Sequence, residues 1–328
     1  MQVFGMSAIC TISSSNERKL DIGAKLSLVY SDCPTSPIFI PEEVIESARR
    51  SIGDFFSSIC PSDPEDNIRD FLDLSKSVKR AEILEQYTPL RSKKLLEVGS
   101  GFGTNLATWI KAFAVDGYGV EPSSPGFDAG FVGSQKIFRA NGMDPSRIQN
   151  ATAESLPFPD GTFDIVYSAN VLEHTANPEL ALQESVRVLK AGGILHMEMP
   201  NFLSYYEGHY LIFQPPIFYR PLLPWIVRWV YRRDPAFAKT LRTQINPIWC
   251  RNQVRNINAS YPVTLLSLGE ELFLARLTSA FQFEMATVGA RLGAVLSIVQ
   301  TLNVKNWIGK TIVVLKGHYP IYLTLRKN

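Results

Sequence analysis

Residues 95–105 read LLEVGSGFGTN, an apolar run that carries one acid, Glu97, and then breaks into Gly99, Gly101 and Gly103 at alternate positions. Glycine turns tightly without steric cost and leaves the backbone bare, so a ligand can approach the N-terminus of the helix that begins near Thr104 or Asn105. The dinucleotide fingerprint GxGxxG has a different spacing, its third glycine serving close helix–strand packing. Here the third glycine comes one residue early, and Thr104 stands where that fingerprint wants glycine. A second acid, Glu121, ends the next apolar run eighteen residues past Gly103. A carboxylate there can accept both hydroxyls of a ribose, as it does in nicotinamide enzymes and in other nucleoside binders alike.

These residues need a scaffold that brings strand ends together. KKLLEV, GYGVEP, FDIVYSA and GGILHMEMP are short apolar or β-branched runs, 20–45 residues apart. Helical candidates lie between them, among them NLATWIKAFA and NPELALQESVRVLK. The second is punctuated by Asn177 as N-cap, Pro178 in the first turn, Glu179 near the positive end and Gly192 just past the C-terminus. Alternating strands and helices predict a parallel sheet covered on both faces, with ligands beyond the carboxyl ends of its strands. Before residue 91 the pattern is helical. PEEVIESARRSIGDFFSSI, with Pro41 at a helix start, and SKSVKRAEILEQY predict a helical N-terminal cap over 1–90.

The chain has 328 residues, 45% of them hydrophobic and 20% charged, which suits a globular protein with a sizeable core. A net charge of +2 argues against a nucleic-acid partner. The four cysteines, Cys10, Cys33, Cys60 and Cys250, form no CxxC pair, so neither a disulfide framework nor a metal site is expected and a reducing setting is. No apolar run approaches the roughly 18 residues of a membrane span, and the first residues lack signal-peptide character. The expectation is a soluble, cytoplasmic protein.

LLEVGSGFGTN followed by GVEPS, ATAESLPFPDGTFDIVYSANVLEH and LKAGGILHMEMPN resembles a class I S-adenosylmethionine-dependent methyltransferase, of the group with a methyltransferase type 11-like core. The resemblance spans residues 93–201 in order and spacing. It implies an α/β, Rossmann-like three-layer sandwich whose seven-stranded, mostly parallel sheet has an antiparallel last strand. It implies S-adenosylmethionine as cofactor, with S-adenosylhomocysteine as product. Glu97, Gly99, Ser100, Gly101 and Gly103 would line its methionine and ribose part, and Glu121, beside Pro122, would hold the ribose hydroxyls. ATAESLPF would supply the adenine site, with Ala153 and Glu154 as neighbours of the base. Many relatives carry aspartate where Thr152 stands, so the polar contact to adenine departs from the family pattern. Ser168 and Asn170 follow the fourth strand, where relatives touch the amino-acid end of the cofactor.

Methyl transfer from a sulfonium is an in-line displacement, so the protein mainly aligns the groups and excludes water. A hydroxyl acceptor also needs a base. His209, in SYYEGHYLIF, is one candidate, with Glu207 beside it; His174, in NVLEH, is another, although relatives often keep that histidine for loop structure. Residues 202–262 form an insertion ahead of the helix LGEELFLARLTSAF and the expected final strands QFEMATV and PIYLTLR, so the core should run over 91–201 and be completed by 263–328. The insertion holds eleven aromatics between Tyr205 and Trp249. Within PLLPWIVRWVYRR, helical spacing puts Leu222, Trp225, Ile226, Trp229 and Val230 on one face and Arg228 and Arg232 opposite. Three readings stand: a lid packed on the domain, an acceptor pocket, or a peripheral membrane contact through 222–233. The acceptor expected is a small molecule, a sugar or a lipid-linked glycan, methylated on oxygen. The rivals are a nicotinamide-dependent oxidoreductase, disfavoured by the early third glycine, and a non-catalytic nucleoside-binding partner, kept open by Thr152.

Overall fold

The structure is a computed structural model and describes residues 38–60, 63–123, 128–279 and 305–328. Its strands are β1 (Lys94–Val98), β2 (Asp116–Val120), β3 (Ile148–Gln149), β4 (Phe163–Ala169), β5 (Leu189–Met199), β6 (Tyr206–Glu207), β7 (Ile212–Phe213), β8 (Val263–Ser267) and β9 (Ile321–Lys327). Seven of them form one sheet in the order β3-β2-β1-β4-β5-β9-β8, and β6 and β7 make a separate two-stranded ribbon. Strands β1 to β5 pair in parallel, while β9 runs antiparallel to both β5 and β8. The α/β architecture is the expected one.

Side-chain alternation along the strands builds two cores. Leu95, Ile165 and Tyr167 face one side, with Leu106, Trp109, Phe138 and the N-terminal Val44, Leu72 and Leu84. Leu96, Val98, Val166, Leu195 and Met197 face the other, with Leu182, Val186, Tyr210, Leu223 and Trp249. The period of two in a strand is what divides neighbours such as Leu95 and Leu96 between the layers. Chain order reverses between β1 and β4, since β2 and β3 lie on one side and β5 on the other. A crevice outside the carboxyl ends of β1 and β4 follows from that reversal.

Four expectations need correction or qualification. The stretch expected as one helix from Pro41 runs as Glu42–Ala48, a π turn at Arg49–Gly53 and Asp54–Ile59. Gly53 marks the break, and a Cβ there would lie 3.2 Å from Ile68 and from the Pro64 carbonyl, so the next helix crosses at its bare backbone. The helix opened by Asn177 ends at Arg187, well before Gly192. Gly192 lies within β5 at φ +78°, where the β4–β5 register slips between Phe163 and Ile165, so it serves a bulge and caps no helix. The sheet edge next to β9 is β8, which precedes the helix Glu270–Ser279. PIYLTLR supplies β9, and QFEMATV lies outside the described residues. Lys327, at the end of β9, donates to the carbonyls of Val186, Arg187 and Leu189 and so ties the closing strand to the start of β5.

Candidate active site

The glycine loop leaves β1 at the reversal of strand order, with Gly99, Gly101 and Gly103 all in the left-handed region at φ +71°, +53° and +73°. Their surroundings differ. A Cβ on Gly99 would fall 2.2 Å from Val171, and one on Gly103 would fall 3.0–3.3 Å from Ile148, Ser134 and Phe138. Those two positions exclude side chains for reasons of packing. At Gly101 a Cβ would meet only the tip of Phe71, at 3.9 Å, among the described residues. The bare backbone that a ligand can use narrows to Gly101.

Two carboxylates flank it. Glu97 is buried at the end of β1, where its Oε1 accepts from Asn105 Nδ2 at 2.8 Å and its Oε2 has no hydrogen-bond partner among the described residues. Burial pushes its carboxyl up to about 7, against the opposing Asn105 hydrogen bond and Arg80 charge. Glu121, past the end of β2, accepts from the Gly101 N–H at 2.8 Å, and burial raises its carboxyl too. The buried Ser100 Oγ beside them also lacks a partner among the described residues. Arg80 closes the arrangement from the helix Leu74–Glu85: Nε donates to Glu198 at 3.2 Å and Nη1 to Asn105 Oδ1 at 3.5 Å. Sequence reasoning missed Arg80, Asn105 and Glu198, since nothing distinguishes Arg80 from Lys76 and Lys79 on the same helix.

Other expected cofactor residues are engaged by the protein itself. Glu154 Oε1 accepts from the N–H groups of Ala176 and Asn177, at 2.7 and 3.2 Å, which holds the loop after β4. Ser168 Oγ donates to the Val98 carbonyl at 2.9 Å and clamps β4 to β1. These bonds give the Glu154 carboxylate and the Ser168 hydroxyl a structural duty alongside their expected ligand role. Ala153 is buried in the core, Pro122 is exposed, and Asn170 turns the chain out of β4 at φ +54° with its N–H on the Glu198 carbonyl.

A second cluster lies just beyond. After Asn170 the chain makes the short turn Leu172–His174, and Arg242 pins it by donating to the carbonyls of Glu173 and Thr175, at 2.9 and 2.7 Å. Glu173 is wholly buried, yet neither carboxylate oxygen has a hydrogen-bond partner among the described residues. Its Oε1 is 3.7 Å from His174 Nε2 and 3.8 Å from His209 Nε2. His209 Nδ1 is 2.6 Å from Glu207 Oε1, and Glu207 Oε2 accepts from the Tyr210 N–H at 2.7 Å. The two imidazoles meet edge to face with centroids 5.2 Å apart, and the Phe237 ring lies against both. Burial raises the Glu173 carboxyl to about 7. Burial opposes charge on His209, but the Glu207 hydrogen bond and the two nearby carboxylates outweigh it and raise the imidazole. His174 is lowered by burial and by His209; its outer edge is 38% exposed, so solvent tempers that depression. The structure thus brings His174, His209 and Glu207 together and adds Glu173, which sequence reasoning passed over although it stands beside His174 in NVLEH.

In the insertion the helix Leu222–Trp229 buries Leu223, Ile226 and Val227. Trp225 and Trp229 stay 54% and 66% exposed, so of the expected apolar stripe only Ile226 and, in part, Leu222 pack on the domain. Phe218, Tyr219 and Val230 are exposed as well. No described helix is long and apolar enough to cross a membrane.

Comparison with known proteins places the core. Residues 96–197 match the methyltransferase domain family. An uncharacterised methyltransferase of Bacillus subtilis is 30% identical over 121 residues, 37% of this chain and 44% of that protein. The demethylmenaquinone methyltransferase of Geobacillus stearothermophilus is 30% identical over 142 residues, 41% of this chain and 58% of that protein. A solved structure of a sarcosine dimethylglycine methyltransferase homologue from Galdieria sulphuraria aligns with 80% of this chain and 88% of its own at 13% identity, with a TM-score of 0.44. The chain spans 37–44% of the length of the first curated relatives it matches.

Proposed function

We propose, from the premise that residues 96–197 are a methyltransferase domain of the class I, S-adenosylmethionine-dependent type, that this chain moves a methyl group from that cofactor to an oxygen of a small-molecule, sugar or lipid-linked glycan acceptor. The observation that carries the cofactor reading is the open backbone of Gly101 between the buried Glu97 and the half-buried Glu121, at the carboxyl ends of adjacent parallel strands. The donor set fits the cofactor. Glu121 can accept from ribose hydroxyls, the unpaired Glu97 Oε2 can accept from an ammonium, and Arg80 supplies the neighbouring positive charge. When bound, S-adenosylmethionine supplies a methyl group already activated by its sulfonium.

The chain then has to seat the acceptor oxygen and take its proton. Glu173 and His174 follow β4 directly, just after Val171, which packs against Gly99, and Glu207 and His209 join them from the β6 region beyond β5. With Nδ1 held by Glu207, His209 presents Nε2 as the proton-accepting atom, and this supports oxygen as the atom methylated. Exposed Trp225 and Trp229, with Arg228 and Arg232 close in sequence, suit contact with an anionic lipid surface and favour a lipid-linked acceptor.

Calorimetric titration with S-adenosylhomocysteine, NADH and NADPH tests the cofactor reading. Binding of the first alone supports it, and binding of a nicotinamide nucleotide instead overturns it. Transfer of labelled methyl groups to acceptor pools then separates the enzyme from a non-catalytic binder.

A further inference from the structure

We infer that Glu173, His174 and His209 form a binding site for one first-row divalent cation such as Zn2+, Mn2+ or Fe2+, with Glu207 as the outer carboxylate that orients His209. The ligand atoms, one carboxylate oxygen and two imidazole nitrogens, all lie within 4.8 Å of one another. A mixed imidazole and carboxylate set suits such cations, whereas Mg2+ and Ca2+ favour oxygen alone.

Three further features belong to a built site. Glu173 is wholly buried, and its carboxylate has no hydrogen bond among the described residues. An uncompensated buried carboxylate is costly, and an ordinary buried ion pair would close to hydrogen-bond distance, about 2.7–2.9 Å. Here both Nε2 atoms stop at 3.7 and 3.8 Å from one oxygen, leaving a gap that a cation spans. At metal–ligand distances of about 2.0–2.2 Å, neighbouring ligands sit roughly 3.0–3.5 Å apart, so the two carboxylate–imidazole distances need to close by a few tenths of an ångström and the two imidazoles, within 4.8 Å of each other, by about 1–2 Å, which a rotation of the part-exposed His174 ring supplies. Glu207 on His209 Nδ1 leaves the lone pair of that imidazole on Nε2, and the Tyr210 N–H fixes Glu207 in turn. Arg242 and Phe237 hold the turn and the rings, while the exposed edge of His174 leaves a path for entry.

The claim of binding stands on the cluster alone. The role of the cation rests on the methyl-transfer reading: an acceptor hydroxyl that takes an open coordination position is acidified and gives its proton to solvent. Nε2 of His209 is then a ligand and no longer the proton acceptor.

The test uses the full chain, stripped with a chelator and without S-adenosylmethionine. Co2+ is titrated by visible absorption and Mn2+ by electron paramagnetic resonance, with Zn2+ in competition. One cation per chain is expected. Glu173→Gln and His209→Gln should each weaken it by at least about tenfold, and Glu207→Gln by about 10–100-fold. Circular dichroism checks that each variant is folded; if Glu173→Gln is not, His174→Gln and Glu207→Gln carry the test. No stoichiometric cation in the parent, or unchanged affinity in the folded variants, overturns the inference. Because the cofactor is left out, that failure is distinguishable from a failure to bind S-adenosylhomocysteine.

Discussion

Two glycines of one loop should fail in opposite ways when each becomes alanine. At Gly101 the new Cβ would enter space bounded only by the tip of Phe71 at 3.9 Å, so the protein itself meets no clash. What remains is an L-residue at φ +53°, a strain of about 1–2 kcal/mol. At about 2–4 °C per kcal/mol the melting temperature should fall by roughly 2–8 °C. The Gly101 N–H that binds Glu121 survives the change, yet the methyl occupies the opening assigned to the ligand. Affinity for S-adenosylhomocysteine should therefore drop at least about tenfold, or about 1.4 kcal/mol. Gly103→Ala carries the same backbone strain and also drives its Cβ to 3.0–3.3 Å from Ile148, Ser134 and Phe138. Overpacking adds about 1–3 kcal/mol, for roughly 2–5 in all, while the ligand side is untouched. Thermal melts and calorimetric titration of the two variants make the assay. If Gly101→Ala binds like the parent, or if Gly103→Ala loses affinity without losing stability, the assignment of open and packed faces is wrong.

Glu97, facing Arg80, Asn105 and Glu121, should make the fold less stable as pH rises. Its carboxyl titrates near 7 when folded against 4.5 as the ordinary value, so between those limits the folded chain keeps a proton that the unfolded chain has released. The loss is roughly 3 kcal/mol, complete above pH 7. Glu97→Gln should flatten that part of the profile and raise the melting temperature at pH 8; Glu173 adds a slope of its own, so the difference between variant and parent is what is read. Arg80→Met should weaken binding of S-adenosylhomocysteine and lower stability by roughly 1–3 kcal/mol, because Glu198 loses its partner and Glu97 its compensating charge; equal affinity in a binding titration would remove Arg80 from the cofactor site. Replacing Trp225 and Trp229 by serine should abolish sedimentation with anionic vesicles while leaving the melting temperature within a few degrees, since both rings are more than half exposed; unchanged sedimentation would count against the membrane reading.

Four of the five parallel strands were legible as short apolar or β-branched runs, whereas the two-residue β3 is too short to leave a pattern, and Asn177 was legible as a cap because its side chain accepts from Leu180 in a recognisable local pattern. What escaped depends on long-range placement. β8 alternates weakly and exists as a strand because β9 offers it hydrogen bonds. The side of 222–229 that is buried was set by what lies beneath it, and helical spacing alone preferred the tryptophans. Arg80 reaches the glycine loop across 25 residues of chain, and Glu173 acquires its significance only when His209 folds onto it from 36 residues away. Cysteine counting is blind to such a cluster.

The position of β9 between β5 and β8 has a consequence for how the chain is made. β5 and β8 have no direct hydrogen bonds to each other, and the strand that joins them begins at Ile321, 54 residues after Ser267 ends β8. At synthesis rates of about 5–20 residues per second, β8 waits roughly 3–11 s with no partner, and β5 waits longer with one edge open. Until β9 emerges, the edge of β5 and the inner side of β8, both paired in the finished protein, stand open, and the nascent chain is at its most vulnerable to pairing with a neighbour.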